Sequence, residues 1–345
     1  MRLLFITQKV DKDDPVLGVY HGWIEALAKK AERISVICLY RGRVELPSNV
    51  QVYSLGKESG EGRLKYLLNF YKYLWRLRDA YDRVLVHMNS EYMILAGFWW
   101  KISGKKPILW YNHPMGNWKA RVAIALADRV LHTSPFAFSA RYKKARQMPV
   151  GIDTGVFRKI PGINPESRSI LYLGRLSPIK YVDTLIDAAF LLDARGVDFA
   201  LTVAGEPGKE SELVYADSLK KRAEPLIKKD KVIFKGAVPN HQASELYNSH
   251  AIYVNMTPAG SFDKTIIEAM ASESLVVASN KVITDALPAI LLFREKDAND
   301  LARALDVALK FSDEERQKIG IRLREYVVGR HDLKTLVNRL VEVLK

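Results

Sequence analysis

The sequence predicts an α/β protein made of two doubly wound, Rossmann-like domains in tandem. Short apolar runs alternate with longer amphipathic stretches along the whole chain. A segment with two prolines and a glycine interrupts that alternation near the middle. The length, 345 residues with 48% hydrophobic, suits two domains of ordinary size, each with its own core.

In the first half, residues 2–7, 34–40, 83–88, 107–111 and 129–133 read as strands. Residues 18–30, 63–78 and 91–103 between them read as helices, the βαβ grammar of a parallel sheet covered on both faces. Residues 158–167 carry Pro161, Gly162 and Pro165 and read as a linker. The alternation then restarts with strands at 169–173, 199–204, 232–235, 252–256 and 275–279, and ends with helices at 297–311 and 332–345. The expected domains are therefore 1–157 and 168–330, with 331–345 a helix that packs back on the first.

Charge is uneven. Residues 1–150 hold 25 Lys and Arg against 12 Asp and Glu, while the remainder holds 28 against 27. A basic half points to a polyanionic partner: phosphate-bearing lipid, an anionic membrane surface or nucleic acid. Cys38 is the one cysteine, so an intramolecular disulfide is excluded. The longest apolar run, 92–100, falls well short of the roughly 20 residues that span a bilayer. The start of the chain reads as a strand rather than a secretory leader. The expected location is cytoplasmic, peripheral on the inner face of the cytoplasmic membrane.

Ligands of doubly wound sheets bind beyond the carboxyl ends of the strands, and the distinctive residues lie there. A strand ends at Gly174, a tight loop follows, and a helix starts near Lys180. Arg175 and Lys180 thus project from a strand–loop–helix junction, where backbone N–H groups already favour anions. Arginine offers a bidentate fork to phosphate oxygens and lysine a point charge. Elsewhere such a pair would be solvated surface cations; this position favours phosphate. Residues 255–271 repeat the pattern, with Glu268 just over a turn into the helix. A carboxylate there accepts from a ribose diol, or is simply an acid at a helix N-terminus. Gly205 and Gly208 follow another strand, for close backbone approach to a nucleotide or for a plain turn.

Four segments stand in order along the chain: Gly151-Ile-Asp153 with Phe157, Gly174-Arg-Leu with Lys180, Glu268-Ala-Met-Ala271, and Val276-Val-Ala-Ser279. In order and spacing they resemble family 4 of the retaining glycosyltransferases, of GT-B architecture. The resemblance implies two domains facing each other across a crevice. It implies that Arg175 and Lys180 grip the donor diphosphate and stabilise the charge developing on the leaving group. Glu268 would hold the ribose. Gly174, Gly205, Ser261, Phe262, Asp263, Lys264 and Thr265 would line the phosphates and the transferred sugar. Two departures stand out. Gly260 occupies the place of the first carboxylate of the family's Glu-x7-Glu pair, with Asp263 a candidate substitute, and Ser272-Glu-Ser-Leu275 replaces Cys-Gly-x-Pro. The co-substrate implied is a UDP- or GDP-sugar, with no cofactor and no metal.

On the acceptor side, His113 follows a strand, and the resemblance places it where the family often has a histidine facing the donor sugar. A lone histidine is otherwise more often structural, and His87 is a weaker candidate. Gly18, in the loop after the first strand, frees the backbone for an acceptor or for a turn. Helix 63–78 is amphipathic, basic and aromatic, which suits either a membrane interface or packing on its own sheet.

The function expected is metal-independent, retaining transfer of a sugar to a glycan, lipid-linked or other hydroxyl acceptor. Alternatives are a non-catalytic nucleotide-sugar binder, another GT-B enzyme, or a basic nucleic-acid-binding protein. The last leaves the donor motifs unexplained.

Overall fold

The computed structural model describes residues 1–258 and 263–345. The chain forms two compact units, one of residues 1–151 with 333–345 and the other of residues 152–332.

The first unit holds strands β1 (Arg2–Val10), β2 (Arg33–Arg41), β3 (Val50–Ser54), β4 (Arg83–His87), β5 (Lys106–Trp110), β6 (Arg129–His132) and β7 (Ala145–Gln147). They make a parallel sheet in the order β3-β2-β1-β4-β5-β6-β7. Leu3, Leu4, Phe5 and Ile6 of β1 are all buried, as expected where both faces of a parallel sheet are covered. Helix α1 (Val19–Ala28) packs on one face, under Leu3, Phe5 and Val36. Helices α2 (Arg63–Leu77), α3 (Ser90–Ile102) and α4 (Trp118–Leu126) cover the other, against Leu4, Ile6 and Val86.

The second unit holds β8 (Glu166–Leu173), β9 (Ala200–Ala204), β10 (Val232–Gly236), β11 (His250–Asn255) and β12 (Leu275–Ala278), parallel in the order β10-β9-β8-β11-β12. Its helices are α5 (Val182–Ala194), α6 (Leu213–Ile227), α7 (Ala243–Ser249), α8 (Lys264–Ala271), α9 (Ala298–Lys310) and α10 (Asp313–Arg330). The last helix, α11 (Leu333–Leu344), belongs to the first unit, where Leu336, Val337 and Leu340 join Trp23, Ile24 and Leu27 in the core. No helix among the described residues is long and apolar enough to cross a membrane.

The chain passes between units at 151–152 and at 332–333, not through 158–167. That segment is tied into the second unit. Asn248 Oδ1 accepts from the Ile160 N–H at 2.8 Å, and Asn248 Nδ2 donates to the Arg158 carbonyl at 2.9 Å.

Candidate active site

In the second sheet the strand order reverses between β8 and β11, and the crevice at their carboxyl ends is where such sheets bind ligands. The loops that follow β8, β9 and β11 carry the candidate residues.

After β8, Gly174 touches the β9 loop directly. Gly205 has φ +142°, open to glycine, and a Cβ there would fall 1.8 Å from the Gly174 carbonyl oxygen. Gly174 N–H donates to Ala204 O and Leu176 N–H to Glu206 O, both at 3.0 Å, so the two loops are laced together. Pro178–Lys180 makes a single 3-10 turn, and Tyr181 takes a left-handed conformation (φ 49°, ψ 44°) before α5 opens at Val182. The helix therefore starts two residues after Lys180, because the left-handed residue breaks continuity with the turn.

Arg175 and Lys180 each have a carboxylate partner. Arg175 Nε lies 3.6 Å from Glu212 Oε2, and its chain runs through space left free by Gly208, where a Cβ would meet Arg175 Cδ at 2.3 Å. Glu212 is buried and accepts from Ser177 Oγ at 2.7 Å and from Gly208 N–H at 2.9 Å. Burial pushes its carboxyl up, but these donors and Arg175 outweigh that and hold it below its ordinary value. Lys180 Nζ donates to Asp263 Oδ2 at 2.5 Å and to Thr257 Oγ1 at 3.1 Å. Asp263 also accepts from Thr257 Oγ1 (2.7 Å) and Asn255 Nδ2 (3.2 Å), and it caps α8 through Thr265 N–H (3.3 Å). Desolvation opposes its ionisation, yet Lys180 and this ring of donors keep it ionised well below the usual carboxylate range.

Thr265 extends the network, accepting from the Tyr253 hydroxyl at 2.7 Å. Lys264 is the first residue of α8. Glu268, four residues on, is 2% exposed and accepts from the Tyr247 hydroxyl at 3.1 Å and from Asn240 Nδ2 at 3.3 Å. Burial raises its carboxyl to about 7, against the pull of Lys264 and the two donors. Between about pH 4.5 and 7 the folded chain keeps a proton that the unfolded chain has released. Stability is lost as pH rises through that window. Glu268→Gln should remove the slope. Its thermal midpoint should gain on that of the wild type from about pH 5 to 8; a gap constant with pH would show that Glu268 does not titrate there.

Ser261 and Phe262, with Gly260, lie outside the described residues. His113 and Gly18 belong to the first unit. His113 is exposed in the loop after β5, its Nδ1 within hydrogen-bond distance of Met115, where it accepts from the N–H (3.1 Å) or donates to the carbonyl (2.9 Å) according to its tautomer. Gly18 precedes α1, and a Cβ there would meet the Asp14 carbonyl oxygen at 2.6 Å, so a close turn demands this glycine. His87 is buried among Phe5, Tyr20, Trp23 and Trp110 and is a core residue. Sequence reasoning missed Ser177, Glu212, Asn255 and Thr257. Asn255 and Thr257 had a signal, since both follow the apolar run of β11 at its carboxyl end.

A cavity of about 360 Å3 opens elsewhere in the second unit, lined by Thr202, Lys235, Glu245 and His250 among others. It shares no residue with these loops, and the strand-end position is the better guide to the site.

Residues 153–326, just over half the chain and all within the second unit, match the model of the family described as glycosyl transferases group 1. The chain belongs to that family. Among its relatives, mannosylfructose-phosphate synthase of Agrobacterium fabrum is 28% identical over 186 residues, 47% of this chain and 41% of that protein. The match thus spans well under half of that relative's length. Two solved structures share the fold over nearly the whole chain. One is Anabaena Alr3699/HepE in complex with UDP and glucose (TM-score 0.79, 18% identity, 100% of this chain and 99% of that one). The other is sucrose-phosphate synthase from Thermosynechococcus elongatus (TM-score 0.77, 18% identity, 99% and 98%). The likeness is one of fold, and that fold is GT-B.

Proposed function

We propose that this group 1 chain transfers a sugar, with retention and without a metal, from a nucleoside-diphosphate sugar to a hydroxyl acceptor. The observation that carries the reading is the pair Arg175 and Lys180 on the loop after β8, at the switch point of the second sheet. There the positive charge meets the diphosphate as the glycosidic bond stretches toward an oxocarbenium-like state. The leaving phosphate then takes the acceptor proton on the same face of the sugar. Glu268 is the group for the ribose diol, once ionised and released from Tyr247 or Asn240. UDP in the complex of the Anabaena protein supports a uridine donor, with guanosine as the rival. The acceptor is a glycan or lipid-linked hydroxyl, met in the cytoplasm; Gly18 is assigned to its side, and His113 joins Arg175 and Lys180 as a catalytic group facing the donor sugar.

One observation favours a second reading, a non-catalytic nucleotide-sugar binder: Lys180 is already paired with Asp263. Donor hydrolysis or transfer by the wild-type chain rules that reading out.

Calorimetric titration with UDP, GDP and their sugar conjugates tests the donor site. Binding at about micromolar Kd by one nucleotide, lost in Arg175→Ala, is the expected result. No binding by any of them would reject the site.

A further inference from the structure

Three helices of the first unit leave apolar side chains facing water. On α2, Leu64, Leu68, Tyr71 and Trp75 recur at i, i+4, i+7 and i+11, an exposed stripe distinct from the buried Phe70, Leu74 and Leu77. On α3, Leu95, Phe98 and Ile102 form a second stripe, opposite the buried Met93, Ala96 and Trp100. On α4, Trp118 and Val122 form a third. Trp75 is 68% exposed, Phe98 66%, Ile102 68% and Trp118 67%.

The three helices lie side by side. The Tyr71 hydroxyl of α2 donates to the Leu95 carbonyl of α3 at 3.2 Å, and the Phe70 and Tyr92 rings sit 5.0 Å apart. α3 and α4 approach closely because Gly97 lacks a Cβ, which would meet Leu126 Cβ at 3.0 Å. Single exposed apolar residues are ordinary, but nine on three adjacent helices call for a partner.

Charge selects the partner. The three helices carry seven Lys and Arg against one acid, Glu91, which lies 3.7 Å from Lys119. Lys65, Lys72 and Arg76 flank the apolar stripe of α2 on its solvent side. A second copy packed through this face would set cations against cations, since an isologous contact pairs a patch with itself. A nucleic-acid backbone would use the cations and leave the apolar stripes in water. We propose that this face docks on an anionic lipid bilayer, with its aromatics at the boundary of headgroups and acyl chains and its cations on lipid phosphates. Acceptors held at that surface would then be presented to the enzyme. The docking itself does not rest on the donor reading, and its test is separate.

Full-length protein is floated with vesicles of phosphatidylcholine alone and of phosphatidylcholine with phosphatidylglycerol, at low salt. Partition should be at least about tenfold stronger on the anionic vesicles, with a blue shift of tryptophan emission. The double variant Trp75→Glu, Phe98→Glu should lose partition while keeping the wild-type thermal midpoint and nucleotide affinity. Should that variant not fold, Lys72→Gln with Arg76→Gln weakens partition on anionic vesicles by the same logic. The proposal is overturned by any of three results: no partition at low salt, partition indifferent to either variant, or a wild-type dimer that the apolar variant turns into monomer.

Discussion

Lys180→Ala is expected to lose about a hundred- to a thousandfold in turnover, the usual effect of removing one preorganised group that meets charge developing in a transition state. The lysine is held ready rather than free. Its Nζ donates to both Asp263 and Thr257, so its position over the crevice is fixed before a donor arrives. Asp263 offsets its charge in the ligand-free chain, and an arriving diphosphate must share or displace that carboxylate. Removing the lysine also leaves Asp263 ionised without its cation, though still hydrogen-bonded by Thr257, Asn255 and Thr265. Some stability is therefore lost, and turnover must be measured well below the variant's thermal midpoint. The measurement is initial rate of sugar transfer, or of donor hydrolysis where no acceptor is in hand. A rate within about threefold of the wild type would remove Lys180 from the chemistry.

The legible parts of the chain and the missed ones divide on physical grounds. Strands of the two sheet centres announced themselves as unbroken apolar runs because both of their faces are covered, as in β1, β4 and β11. β3 and β7 did not, since both are short edge strands with no fully buried residue. α10 was missed because only Gly320, Leu323 and Val327 of its 18 residues are buried, which leaves hardly any periodicity to read. Its capping box, Ser312 with Glu315, was the signal available.

The site divides in the same way. Arg175 and Lys180 could be placed from sequence because a strand end, a proline and a helix pattern surround them. Their carboxylate partners could not. Glu212 lies 35 residues beyond Ser177, and Asp263 lies 83 beyond Lys180, pairings that only the doubly wound topology brings together. In the ligand-free chain Asp263 is the partner of Lys180 and the cap of α8. The crossing at 151–152, ahead of the expected linker at 158–167, was not legible either, since the two hydrogen bonds from Asn248 to the backbone of 158–160 leave no trace in local composition.

Gly205→Ala should damage the same site without touching a charged group. At φ +142° an L-residue is strained by about 1–3 kcal/mol. Its Cβ would also fall 1.8 Å from the Gly174 carbonyl oxygen, backbone against backbone, where no side chain can rotate away. Relief requires the two loops to part. Gly205 N–H is meanwhile held to the Gly236 carbonyl at 2.7 Å, so the β8 loop must yield instead, and it carries Arg175 and Lys180 with it. Overpacking of this kind adds about 1–3 kcal/mol. For a unit of this size the two costs together lower the thermal midpoint by about 5–20 °C. Nucleotide affinity should fall as well, because the phosphate-facing loop is displaced. Gly196→Ala is the control: its φ is also positive, at +69°, but no atom lies within 4 Å of the added Cβ. It should cost only the left-handed backbone, about 1–2 kcal/mol, and leave nucleotide binding at the wild-type level. Equal behaviour of the two variants would mean that the loops adapt to a side chain at 205, and that the contact between Gly174 and Gly205 does not hold the site in shape.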